Sequence, residues 1–168
     1  MADLHARIRT ALKSINPTKE NPAHHGAPGA LSVLRGISAA AAVWRPTPEG
    51  NSIREIALHI AIHENSLANR LSGKNVQIGL KMWKFGWVLR SDAVAEEQWQ
   101  SELDLIKATH ERLVEAVTSF DPDGLDQVIG KKTIILAVDF MHGIGEHSLY
   151  HTAQMEMIKT LAKQNGIQ

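Results

Sequence analysis

Cysteine is absent from the sequence, which excludes disulfides, thiolate metal ligands and a nucleophilic thiol belonging to the chain itself. Any soft sulfur chemistry would need an external thiol. Surplus charge is missing too: 18 basic and 18 acidic side chains balance with no long run of either sign, so there is no electrostatic footprint for nucleic acid or an anionic membrane. No apolar stretch is long enough and free enough of charge to cross a bilayer. The opening "MADLHARIRTALKSI" mixes charged with apolar residues and lacks the unbroken apolar core of a secretory signal, so a cytoplasmic location is expected. Strict polar–apolar alternation between turn signals is scarce, as are tyrosine (one) and phenylalanine (three).

What remains is helical periodicity and histidine. A chain of 168 residues suffices for one domain with a real core and is short for two, so residues 1–168 are read as a single domain. The first helix is expected over about Asp3 to Ile15, with Leu4, Ile8, Ala11, Leu12 and Ile15 on one stripe. "NPTKENPAHHGAPG" breaks it, because proline and glycine do not sit cheaply inside a helix. Pro28 can open a short helical piece that Gly36 closes. After the irregular "WRPTPEGN", Ser52 and Glu55 form a capping box, and Ile53, Ile56, Ala57, Ile60, Leu67 and Leu71 follow until Gly73. The connection from Gly73 to about Ser91 carries Trp83, Phe85 and Trp87 and is expected to pack across the domain. Ser91 or Asp92 can cap a third helix to about Ser119, with Trp99, Leu103, Ile106, Leu113 and Val117 inward. "DPDG" is a turn, and Thr133 can cap a fourth long helix ending before Gly166. The pattern predicts an all-α four-helix bundle with a long crossover between its second and third helices.

Nine histidines are many for such a chain, and His59, His63, His142, His147 and His151 fall in two helical segments. In "EHSLYHTAQ", His147 and His151 continue the line Phe140, Ile144, Met155, Ile158, so both face inward one turn apart. His63 continues the line Ile56, Ile60, Leu67, Leu71, and His59 lies at its edge. A buried imidazole nitrogen without a partner costs about 1–3 kcal/mol. Coordination through one nitrogen, with the other bonded to an acceptor, removes that cost. On spacing, His147 and His151 read as a ligand pair in preference to two core histidines bonded to carbonyls or serines. For His59, ligation and a half-solvated edge position stay open. His63 fits a fourth ligand, a proton acceptor or a filler of core volume. His142 falls off this face and is expected to be structural, His5 and His110 to be surface or boundary residues, and His24 and His25 to lie in a loop. Trp44, Trp83, Trp87 and Trp99 are expected as core anchors.

The runs "SIREIALHIA" and "HGIGEHSLYHTAQ", within a likeness extending from about His25 to Leu161, resemble the DinB/YfiT-like superfamily. These damage-inducible proteins share a four-helix bundle and are unrelated to the translesion polymerase of similar name. The resemblance implies a divalent metal, nickel or zinc foremost and iron or manganese after them, held by His59 from the second helix and by His147 and His151 from the last. It further implies a metal-dependent enzyme acting on a small molecule. Relatives include transferases and isomerases that use low-molecular-weight thiols such as bacillithiol, mycothiol or glutathione, and others designated metal-dependent hydrolases. His63 is then the nearest general base on spacing, with Glu64 and Glu146 as alternatives, and Gln154 either binds the ligand or cofactor or orients a histidine. The chain departs from the family in carrying His63 where a bulky residue is usual, Ala153 where glycine commonly precedes the glutamine, and a distinctive segment from Val76 to Leu89. Such bundles often pair as homodimers, which composition does not show. The competing reading is a non-catalytic metal-binding or stress-response bundle in which the ion fastens two helices.

Overall fold

Local hydrogen bonds set the helix ends. In the computed structural model, which describes residues 3–17, 29–82, 84–129 and 134–167, the Asp3 carboxylate accepts the Ala6 N–H at 3.2 Å and starts α1 (Leu4–Ile15). Two short helices follow, α2 (Ala30–Val33) and α3 (Ala39–Val43). The turn after α2 ends at Gly36, whose φ of 72° an L side chain rarely adopts. Ser52 and Glu55 satisfy each other's backbone N–H groups at the start of α4 (Ile53–Ser72), and Gly73 closes it in the left-handed region at φ 67°.

The third long helix starts later than the sequence suggests. α5 spans Glu96–Thr118, and its N-cap is Ala95, which supplies no side-chain bond. Of the expected caps, Ser91 turns its hydroxyl to the Ala93 carbonyl, and the Asp92 carboxylate accepts from Arg45 at 2.9 Å. Glu96 and Glu97 instead favour the positive end of the helix dipole. In "DPDG" the Asp121 carboxylate accepts the Asp123 N–H at 3.0 Å and a single 3-10 turn results. α6 runs Ala137–Gln164 with Leu136 as its cap residue. Thr133, the expected cap, lies outside the described residues, as do His24, His25, Pro28 and Trp83.

Among the described residues the protein is all-helical. α4 lies along both α5 and α6, and α1 packs mainly on α6. One apolar cluster gathers Ile53, Ile56, Ile60, Trp99, Ile106 and Met155. A second gathers Ile8, Leu67, Leu113, Val117, Met141 and Ile144. Trp99 is fully buried, and its indole N–H donates to the Ile37 carbonyl at 2.8 Å, which meets the requirement that a buried polar handle find a partner. Arg54 on α4 grips Glu102 on α5 through two bonds of 2.6 and 2.5 Å in a buried bidentate pair.

α1 approaches α6 closely because Gly145 has no side chain. A Cβ there would stand 2.7 Å from the Ser14 Cβ and closer still to its Oγ, whereas a Cβ at exposed Gly143 would meet nothing within 4 Å. Gly145→Ala should therefore cost about 1–2 kcal/mol, overpacking outweighing helix propensity, while Gly143→Ala should gain up to about 1 kcal/mol. Denaturant melts of the two variants check this, and equal shifts would contradict the close approach.

Candidate metal centre

α4 and α6 pack side by side, and each carries two imidazoles one turn apart. The register brings all four together. His59 and His147 ring centroids are 5.0 Å apart, His63 and His147 4.7 Å, His147 and His151 4.5 Å, His59 and His151 4.8 Å, and His59 and His63 4.5 Å. The donor atoms of His59, His63 and His147 lie within 4.8 Å of one another. His59 and His151 are buried, and His63 and His147 are half-buried.

The crossover supplies the outer contacts. Phe85 and Gly86 turn through the left-handed region at φ 56° and 78°. The turn presents its carbonyls to the histidines, with the Gly86 oxygen 3.2 Å from His59 Nδ1 and the Phe85 oxygen 3.3 Å from His63 Nε2. Trp87 then stacks on the His59 ring at 4.0 Å and 7°. Its indole is thus a wall of the site as well as a core residue. Phe85, expected to pack inward, is instead 85% exposed, because at this position the backbone and not the ring does the contacting. On α6, His151 Nδ1–H donates to the Gln154 side-chain oxygen at 2.7 Å, and the Gln154 amide donates to the Tyr150 hydroxyl at 3.0 Å.

These bonds fix the tautomers. With Nδ1–H given to Gly86 and to Gln154, His59 and His151 each keep a lone pair on Nε2. His59 Nε2 faces His147 Nε2 at 3.1 Å, and His147 Nδ1 is buried without a partner. If His147 carries its proton on Nε2, it donates to His59 and strands a buried Nδ1 acceptor; if on Nδ1, two lone pairs confront each other. Burial, with the neighbouring imidazoles His63, His151 and His147 adding to it and the Gly86 carbonyl opposing, pushes the His59 pKa down to about 4. Burial, then His151 and His63, pushes that of His147 down to about 4. Burial also lowers that of His151, against the bond to Gln154. His59 and His147 are therefore uncharged at neutral pH and keep lone pairs for a ligand.

The two glutamates weighed as bases point elsewhere. Glu64 is 2% exposed, and its carboxylate is 3.1 Å from His110 Nδ1. Burial opposes charge on His110, but Glu64 and then Glu111 overcome it and hold its pKa above the usual value. His110 is therefore a largely covered half of an ion pair and not an ordinary surface residue. Glu64, Glu146 and His142 line a separate cavity of about 180 Å³ with Ser14 and Thr152. His63 is the titratable neighbour that faces the other imidazoles. His5 is exposed as expected, and Ala153 is exposed, so its methyl crowds no helix contact.

The family model of the DinB superfamily matches residues 26–155. The chain belongs to the DinB superfamily. No curated protein matches it significantly. Within this DinB-superfamily chain the donor atoms of His59, His63 and His147 are close enough to hold one divalent ion. Nitrogen ligands of one tetrahedral ion, each at about 2.0–2.1 Å, stand roughly 3.3 Å apart, close to the 3.1 Å between His59 and His147 Nε2. The Gly86 and Gln154 contacts are the outer bonds that ligating histidines make. Helix spacing reveals the four histidines; nothing in the string "KFGW" reveals that two of its carbonyls would meet two of them.

Two outcomes follow. Because the folded His59 and His147 resist protonation down to about pH 4 while unfolded histidine titrates near 6.5, the unfolded chain binds more protons between those values. Stability of the metal-free protein should be full above about pH 6.5 and fall as pH drops toward 4, and His147→Gln should flatten that slope in melts across the window. Gly86→Ala would set a Cβ 2.9 Å from His63 Nε2 at a strained φ, and should weaken zinc or nickel binding about 10–100-fold in chelator competition.

Proposed function

We propose that this DinB-superfamily chain is a metal-dependent enzyme in which His59, His147 and His151 hold one divalent ion, nickel or zinc, and His63 serves as the proton acceptor beside it. The observation that carries the reading is the facing of His59 and His147 Nε2 at 3.1 Å, a spacing at which one cation would take both lone pairs while His147 keeps its proton on Nδ1. His151 is taken as the third ligand because its ring lies 4.5 Å from that of His147 and 4.8 Å from that of His59, and its bond to Gln154 through Nδ1 leaves the Nε2 lone pair available. Gln154 accordingly orients a histidine. His63, held less tightly by Phe85 at 3.3 Å, stays half-buried and able to move a proton. Bound there, the ion would supply Lewis acidity, lowering the pKa of a thiol or water that shares it. The chain contributes no thiol, so thiol transfer or isomerisation would draw on a low-molecular-weight thiol, and hydrolysis on water.

The fold side of the proposal is the four-helix bundle of the family, made by α1, α4, α5 and α6, with the crossover between α4 and α5. Pairing as a homodimer is part of the same reading and is supported by Tyr150, Met157 and Leu161, which leave apolar surface exposed along α6. A second reading has a specific observation in its favour: the donor atoms of His59, His63 and His147 form the tightest trio, which would make His63 a ligand.

Elemental analysis of untagged protein decides between them. Wild type should carry about one equivalent of metal, His59→Ala, His147→Ala and His151→Ala should lose it, and His63→Ala should keep it while losing turnover in a panel of electrophiles with thiols and of hydrolysable esters. Loss of metal in His63→Ala with retention in His151→Ala would establish the alternative trio. An inert cobalt-substituted protein whose spectrum no thiol perturbs would end the enzymatic reading.

A further inference from the structure

A cavity of about 460 Å³ opens beside the histidine cluster, with His63 and His147 in its wall. Leu67, Phe140 and Ile144 give it apolar sides. Arg70 lines the same cavity, two turns beyond His63 on α4 and so roughly 10 Å along the axis. Its guanidinium lies 5.2 Å from the centre of the Phe140 ring. Arg70 is exposed at the edge of the cavity, and among the described residues no carboxylate ion-pairs with it. Asp139 also lines the cavity, and it stabilises the cation of Arg7 as well. A solvent-facing guanidinium at the rim of a partly apolar cavity is a recognition group for a planar anion, and carboxylate matches its fork in a bidentate pair.

We infer that this cavity is the substrate pocket and that Arg70 binds the carboxylate of a small, otherwise apolar acid whose reacting end lies at His63 and His147. The inference rests on the metal-dependent reading for the reaction but not for the binding. Phe140 holds the guanidinium by its ring face and offers an apolar surface to the body of the ligand. Arg70 is a specificity-determining residue and takes no part in bond making.

The test uses 4-phenylbutanoate and its uncharged amide as probes, followed by NMR titration of the full chain, with and without added zinc, against Arg70→Gln and Arg70→Lys. Wild type should bind the acid about tenfold or more tightly than the amide. Arg70→Gln should erase that preference with the circular dichroism spectrum unchanged, and Arg70→Lys should keep part of it. Equal binding of acid and amide, or a preference that survives in Arg70→Gln because the carboxylate binds elsewhere, overturns the inference. Metal content measured on the same samples separates the two proposals: Arg70-dependent selectivity in protein that takes up no metal defeats the metal reading alone, and full metal loading without that selectivity defeats this one alone.

Discussion

The packing of α4 against α6 is the constraint on which the rest of the molecule depends. Two helices each bearing histidines one turn apart are chemically ordinary until their axes lie together at a register that interleaves the rings, which here brings the centroids to between 4.5 and 5.0 Å. That register is held by apolar contacts on both sides of the cluster, with Ile56, Ile60 and Met155 in one core and Leu67, Met141 and Ile144 in the other. A third element, α5, is tied to α4 by the buried Arg54–Glu102 pair, and α1 closes on α6 where Gly145 admits Ser14. The apolar cores supply both the driving force and the α4–α6 register, and the Arg54–Glu102 pair fixes α5 against α4.

Having forced imidazoles into a dry setting, the fold must answer for their nitrogens. It does so unevenly. His59 and His151 have partners on their outward nitrogens, whereas His147 has none on Nδ1. A purely structural histidine cluster would be expected to satisfy all of them, since each stranded nitrogen costs about 1–3 kcal/mol. Where His59 and His147 meet, their Nε2 atoms face each other at 3.1 Å, and a cation there would take the lone pairs of both. The second acidic cluster behaves in the opposite way: Glu64 and His110 complete each other, leaving little for a ligand to gain.

The crossover after α4 gains its importance from the same logic. Its turn exposes the Phe85 ring and spends its backbone carbonyls on His59 and His63. Close backbone approach explains the glycine at position 86, where any side chain would strike the His63 ring. Trp87 follows and seals the face of His59. A segment that is irregular as secondary structure is therefore the outer shell of the histidine cluster, and on the other side of His63 lies the cavity that ends at Arg70.

The amino-acid sequence by itself determined the helices and the faces they bury. Asp3, Ser52 with Glu55, and Gly73 are local signals acting over three or four residues, and the periods of the apolar lines place His59, His63, His147 and His151 on neighbouring turns. Where a signal could serve two ends, the tertiary structure chose. Ser91 and Asp92 had the chemistry of caps, but the Ser91 hydroxyl turned to Ala93 and the Arg45 guanidinium claimed Asp92 from a distant part of the chain, and α5 began at Glu96. Glu64 had the chemistry of a base, but α5 brought His110 to it. Which nitrogen of each ring is free and which carbonyls fix it depend on groups far apart in sequence. No local pattern encodes them, because their energies exist only once the helices have packed.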